Sequence, residues 1–184
     1  MSTYVFATGN PEKVKLFAKY AQVEIENQSV GAHEIQSLDL TEVTTEKAKA
    51  AFAEIGRPVM VDDAGFIICS LGRLPGTFVR WFIEEIGLEK ICRLADISED
   101  RTSVAQAEYV LYDGQDFKRF NGSLHGNIAQ HASGNRGFGW HGIFIPDGAT
   151  KTLADMNETE FSKYYLQIKP LDKIGEYLRM KEQS

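Results

Sequence analysis

Tyr4-Val5-Phe6-Ala7-Thr8-Gly9-Asn10-Pro11-Glu12-Lys13 passes from an apolar run through a tight polar turn into a helical pattern. A strand, a turn and a helix start make an anion cradle, because the first backbone N–H groups of a helix lack internal partners and the helix dipole favours negative charge there. Asn10 is suited to cap the helix, and Pro11 falls at the first helical position, where its missing N–H costs nothing. Lys13 stands in that first turn, where the dipole alone would prefer an acid, so its placement asks for an anionic partner. Thr8, Gly9, Asn10 and Lys13 are therefore candidate phosphate contacts; a solvated lysine in an ordinary α/β entry turn is the plain alternative.

The chain has 184 residues and reads as one domain, 1–184, long enough to bury a core without disulfides or a structural metal. Its formal net charge of -6 argues against a nucleic acid polymer or an anionic membrane as partner, since both select a basic face. Cys69 and Cys92 lie among apolar residues without CxxC spacing and read as reduced core residues. No stretch has the pattern of a secretory leader or the length of a membrane span, which points to the cytoplasm. Disorder is expected only from about Lys181 to Ser184.

Along the chain, Pro11 to Tyr20 reads as the first helix and Val23 to Glu26 as a short strand. Thr41 is placed to cap a second helix, in which Ala48, Ala51, Phe52 and Ile55 recur at helical spacing and Gly56 supplies the left-handed stop. Pro58-Val59-Met60-Val61 is the profile of a buried strand that delivers Asp62 and Asp63 to a sheet edge. Leu74-Pro75-Gly76 turns into an aromatic helix bearing Phe78, Trp81, Phe82 and Ile86, with a further helix from Leu88 to Leu94. Val104 to Tyr112 and Phe117 to Leu124 form a hairpin across Asp113-Gly114. A glycine-rich segment, Gly134 to Gly142, precedes a strand at Ile143 to Ile145. Two closing helices carry Phe161, Tyr164, Tyr165 and Ile168, then Leu171, Ile174 and Leu178. This order predicts an α/β protein with a mixed sheet and an antiparallel hairpin layer.

Adjacent acids at the end of a buried strand need an opposite charge, hydrogen bonds or a metal. Asp62 and Asp63 either cap the following turn or, with a lysine-bearing cradle, hold Mg²⁺, which takes one or two carboxylates and completes its shell with substrate phosphate oxygens. Lys47, beside the apolar stripe of the second helix, is either a second phosphate cation or a solvated lysine. Phe138 and Trp140, set between glycines, are either a stacking platform for a planar base or loop anchors in the core. His33, His125 and His131 have no partner spacing and read as ordinary polar positions.

Several segments together resemble the inosine triphosphate pyrophosphatase family of non-canonical purine NTP pyrophosphatases. They are Thr8-Gly9-Asn10 with Lys13; Glu46-Lys47-Ala48; Val61-Asp62-Asp63-Ala64-Gly65-Phe66; Leu74-Pro75-Gly76 with Arg80-Trp81-Phe82; and Gly137-Phe138-Gly139-Trp140 leading to Ile143-Phe144 and Pro146-Asp147-Gly148. The resemblance implies two lobes around a long mixed β-sheet, a nucleotide cleft between them, and a homodimer. It implies Mg²⁺-dependent attack of water on the α-phosphorus of a nucleoside triphosphate substrate, releasing pyrophosphate. By position Asp63 matches the catalytic and metal-binding acid, Glu34 or Glu42 the second metal acid, and Thr8 to Lys13 with Lys47 the phosphate contacts. Phe138, Gly139, Trp140 and His141 match the base side.

That base side departs from the pattern. His141 stands where the family usually has Asp, followed by Gly142 where Pro is frequent. The Glu-Lys-Asn and Ser-His-Arg motifs that read a 6-oxo purine appear here as Glu160-Phe161-Ser162 and Tyr165-Leu166-Gln167. The resemblance thus implies a pyrophosphohydrolase with altered or relaxed base choice. A catalytically weak nucleotide-binding protein of the same fold is the alternative; retention of Asp63, Lys13 and Lys47 favours the enzyme.

Overall fold

The computed structural model describes residues 3–31 and 34–182, so His33 and residues 183–184 lie outside the described part. The opening strand β1, Val5–Ala7, is buried along its length. It leads into α1, Pro11–Ala21, whose cap is Asn10: the side chain accepts from the N–H groups of Glu12 and Lys13. The next strand, β2, is Glu26–Gln28, beginning where the predicted one ends, and all its residues are exposed. It pairs in parallel with β1 at the edge of the sheet, where no hydrophobic pattern is required to hold it.

Asp39, rather than Thr41, caps α2, Leu40–Ile55, by accepting from the N–H groups of Thr41 and Glu42. The Thr41 hydroxyl instead donates to Glu108 at 2.9 Å. Gly56 ends this helix with φ 71°, as its sequence position predicts. The strand β3 runs from Val59 to Ile68, straight through Asp62 and Asp63. The acids therefore sit within a strand interior to the sheet, not at its edge, because β3 lies between β1 and β5 and the ladder continues past them.

After β4, Pro75–Gly76, helix α3 spans Val79–Leu94 but breaks at Gly87 (φ 75°, ψ 162°), matching the two helices read from the sequence. The hairpin strands are β5, Thr102–Tyr112, and β6, Phe117–Ile128, and Asp113 closes their turn by accepting from the N–H groups of Gln115 and Asp116. Strand β7, Phe144–Pro146, pairs antiparallel with β6. Helices α4, Glu158–Ile168, and α5, Leu171–Glu182, complete the described chain. Lys181 and Glu182 thus belong to a helix rather than a disordered tail. The sheet is mixed, with order β2-β1-β3-β5-β6-β7 and β4 paired to β3. Cys92 is buried, whereas Cys69 is exposed and so is not a core residue.

The chain divides into two compact units, one of residues 1–63, 108–121 and 169–184, the other of 64–107 and 122–168. The first is built on Ala7, Ala48, Ala51, Val59, Val61 and Val110, small side chains that let α2 approach the sheet closely. In the same unit α5 packs on α1: a Cβ on Gly175 would overlap the Ala21 carbonyl, and Arg179 donates to that oxygen at 2.6 Å. The second unit is aromatic, with Phe66 stacked on Trp140 at 5.3 Å and Phe144 edge-on to both.

Gly175→Ala tests the α1–α5 contact with opposing terms, since alanine gains about 1 kcal/mol of helix propensity while overpacking costs about 1–3 kcal/mol. The obstacle is backbone, which cannot rotate away, so the clash prevails and the variant's Tm falls; an unchanged or raised Tm shows that α5 yields freely.

Candidate phosphate site

In the first unit, β3 places Asp62 where burial is nearly complete, at 1% side-chain exposure. Removing a carboxylate from water costs several kcal/mol unless cations compensate. Lys13, from the first turn of α1, donates to Asp62 Oδ1 at 2.9 Å, and the Lys169 ammonium stands 4.0 Å from Oδ2. Burial alone would raise the Asp62 pKa, but Lys13, Lys169 and Lys47 together hold it below the usual carboxylate value. Asp62 is accordingly the ionised anchor of a lysine cluster.

Lys47, on α2, lies 2.6 Å from Glu34 Oε1 and 4.0 Å from Asp63 Oδ2. Burial would lower its pKa, yet Asp63, Asp62 and Glu34 raise it above the ordinary lysine value. The cation is therefore secure, and two carboxylates converge on it. Glu42 instead accepts from the Ser37 hydroxyl, so the structure brings Glu34 to Lys47 and leaves Glu42 on another partner.

The turn that opens the site is tightly made. Thr8 Oγ1 accepts from the Asn10 N–H at 3.2 Å, and a Cβ on Gly9 would come within 2.8 Å of Ser29 Oγ. Because Asn10 already engages the N–H groups of Glu12 and Lys13, those groups do not form the open anion cradle expected from the sequence. The partner Lys13 has found is Asp62. What the site offers an incoming anion is side-chain ammonium charge, with Lys13 and Lys47 each partly exposed.

A buried network braces the helix that carries Lys47. Glu108 is buried and accepts from Thr41 at 2.9 Å and from Arg119 at 2.8 Å, while Arg119 also reaches Thr45 at 2.7 Å. The sequence reading missed Glu108, Arg119 and above all Lys169. Lys169 did carry a signal: a lysine between Ile168 and Pro170-Leu171, with apolar neighbours on both sides, is placed for burial and so for an acidic partner.

In the second unit the expected base-side residues form an aromatic cluster. Trp140 is buried against Phe66 and Phe144, so of its two readings the core anchor holds and the stacking platform does not. Gly139 adopts φ 64° beside half-buried Phe138. His141 is buried, its Nδ1 accepts from the Phe138 N–H at 3.2 Å, and its ring meets Trp140, Phe161 and Tyr165 edge-on. Phe161 and Tyr165 stack at 4.8 Å, and the Gln167 amide donates to Lys163 O of its own helix. His131 pairs with Glu89.

Among the described residues no group of three or more His, Cys, Asp or Glu side chains is arranged to hold a metal. Magnesium asks for less, one or two carboxylates with phosphate oxygens completing the shell. Asp63 and Glu34, both drawn to Lys47, fit that donor set.

These features define a class: a mixed-sheet α/β protein whose first strand–turn–helix feeds a cluster of lysines and buried carboxylate. Within that class the chain belongs to the Ham1 family, whose model matches residues 4–177. A dITP/XTP pyrophosphatase of Saccharolobus solfataricus is 33% identical over 174 residues, covering 93% of this chain and 91% of that protein. An inosine triphosphate pyrophosphatase of Scheffersomyces stipitis is 30% identical, covering 97% and 98%. A Ham1 protein structure from Coxiella burnetii superposes with TM-score 0.84 at 21% identity over 98% of this chain and 100% of that one. The Staphylococcus aureus Ham1 structure gives 0.80 at 21% identity, covering 97% and 98%, and the two share the fold described above.

Burial lowers the Lys169 pKa from 10.5 to about 8, against the pull of Asp62 and with the help of Lys13. Between those values the folded chain has shed a proton that the unfolded chain keeps, so stability rises with pH; below about 8 this contribution is flat. Urea unfolding of wild type and Lys169→Met at about pH 7.5 and about pH 10 reads the difference, with wild type gaining on the variant by about 2 kcal/mol. Parallel changes in the two proteins contradict the assignment.

Proposed function

We propose that this chain is a nucleoside triphosphate pyrophosphatase that acts on non-canonical nucleotides, converting a triphosphate and water to a monophosphate and pyrophosphate. The observation that carries this reading is the gathering of Lys13, Lys47 and Lys169 around Asp62 and Asp63, in a family whose curated relatives are named for that activity. Lys13 and Lys47, the two partly exposed ammoniums, bind the triphosphate oxygens and exchange part of their carboxylate contact for phosphate contact. Thr8, Gly9 and Asn10 shape the turn against which the phosphates rest.

Asp63 is the carboxylate assigned to orient water toward the α-phosphorus and accept its proton. The bond to the bridging oxygen breaks, and pyrophosphate leaves while Lys13 and Lys47 neutralise the charge that develops on it. Asp63 and Glu34 would hold Mg²⁺, which when bound supplies further neutralisation of the phosphate oxygens. Two free cysteines fit a reducing compartment, and no described helix is long and apolar enough to cross a membrane; we place the protein in the cytoplasm, as the homodimer that the resemblance implies.

Base choice is the part we propose to be altered. Phe161, Leu166 and Gln167 stand where the family reads a 6-oxo purine, Phe161 is packed with His141 and Tyr165, and Gln167 is turned onto its own helix. Lost donors of this kind weaken discrimination by about 1–3 kcal/mol each.

Hydrolysis should yield pyrophosphate and a monophosphate, in preparations free of other pyrophosphatases; orthophosphate as sole first product sinks the reading. Asp63→Asn should abolish turnover while circular dichroism and Tm stay near wild type, and wild-type turnover in that variant rejects the acid's role. The preference for inosine over adenosine triphosphate in kcat/KM should stay within about tenfold, or about 1.4 kcal/mol. A hundredfold preference means that other residues rebuild the family's base code.

A further inference from the structure

We propose that Lys169 is a positioning residue of the phosphate site, whose sealed ammonium holds the Asp62 carboxylate in place so that Lys13 can be lent to a phosphate. The proposal rests on the triphosphate reading above. Its basis is an asymmetry in how one carboxylate meets two cations. Asp62 Oδ1 receives Lys13 at 2.9 Å, and that lysine's side chain is 18% exposed. Asp62 Oδ2 faces Lys169 at 4.0 Å, and that lysine is 2% exposed. A ligand can reach the first cation and not the second.

That difference matters when a polyphosphate competes for Lys13. If Lys13 were the sole counter-ion, drawing it toward a ligand would strand a buried carboxylate, and the cost would be charged against binding. Asp62 Oδ2 is buried and accepts no hydrogen bond among the described residues, so Coulombic attraction from Lys169 is the compensation seen on that side. With Lys169 in place the carboxylate keeps a cation throughout. Lys13 is then free to be shared between Asp62 and a phosphate.

The fold holds Lys169 where this requires. It sits between α4 and α5, and the carbonyls of Gln167 and Ile168 at the end of α4 press so closely on Gly122 that a Cβ there would overlap both. On the other side Pro170 immediately precedes α5, which Gly175 and Arg179 tie to the end of α1, the helix that bears Lys13. Residues far apart in sequence thus converge on Asp62 through helix packing. Lys169 does not touch the ligand in this account, and its effect passes through Asp62 and Lys13.

The test is a double-mutant cycle read by calorimetric titration with inorganic tripolyphosphate, which requires neither turnover nor a base. Lys169→Met should weaken tripolyphosphate binding about tenfold, raise KM for a nucleoside triphosphate similarly, and leave kcat within about twofold. Lys169→Arg should recover most of the affinity. Because the effect passes through Lys13, Lys13→Ala combined with Lys169→Met should bind no more than about twofold worse than Lys13→Ala alone. Should Lys169→Met fail to fold, Lys169→Gln paired with Lys13→Ala gives the same readout and the same expected loss of additivity, and in an Asp62→Asn background, where no buried carboxylate is left to hold, Lys169→Gln should weaken tripolyphosphate binding by no more than about twofold. Variants that bind tripolyphosphate as wild type does, or losses that multiply across the cycle, overturn the proposal and leave Lys169 a structural lysine. Wild type that binds no tripolyphosphate overturns the phosphate-site reading itself, and this proposal with it.

Discussion

The buried charge of Asp62 is the constraint on which the site depends. A carboxylate within an interior strand is tolerated only with cations beside it, and the chain supplies them from two helix ends: Lys13 in the first turn of α1 and Lys169 ahead of α5. The strand–turn–helix at the start, the docking of α5 on α1 and the junction after α4 all bear on that one carboxylate. We propose that the lysines gathered to neutralise an internal acid also receive an external anion. In this reading stability and function draw on the same ion pairs, and a ligand redistributes them rather than creating them.

Much of this was legible in the sequence, for local reasons. Asn10 before Pro11, Gly56 after an apolar helical stripe, and Asp113-Gly114 between alternating runs each specify backbone geometry through nearby chemistry, and each appears as read. What failed was set by distant partners. Thr41 looked like a cap, but Glu108, 67 positions away, takes its hydroxyl, and Asp39 caps instead. The acids looked like a strand end because charges break apolar runs, yet the neighbouring strands and three lysines carry β3 through them. Lys169 escaped notice for the same reason, since its partner is more than a hundred positions earlier.

The two groups of residues singled out in the sequence differ in what holds them. Of the residues that the resemblance assigns to phosphate and metal, Lys13 is held on Asp62, and Glu34 and Asp63 are both drawn onto Lys47. Elsewhere His141, Phe161 and Tyr165 form a buried ring cluster, and Trp140 is fixed on Phe66. Aromatic packing of this kind stabilises a fold by area and ring geometry without presenting directional donors. In the proposed function phosphate binding is indifferent to that packing, because it depends on charge and position, whereas base selection is not.

The most direct test is a crystal structure of the chain with Mg²⁺ and a nucleoside triphosphate whose bridge between the α- and β-phosphorus atoms resists hydrolysis. The account predicts phosphate oxygens on the Lys13 and Lys47 ammoniums, the metal on Asp63 and Glu34, and Lys169 still facing Asp62. A triphosphate bound away from Lys13 and Lys47, or a metal held without Asp63, would contradict it.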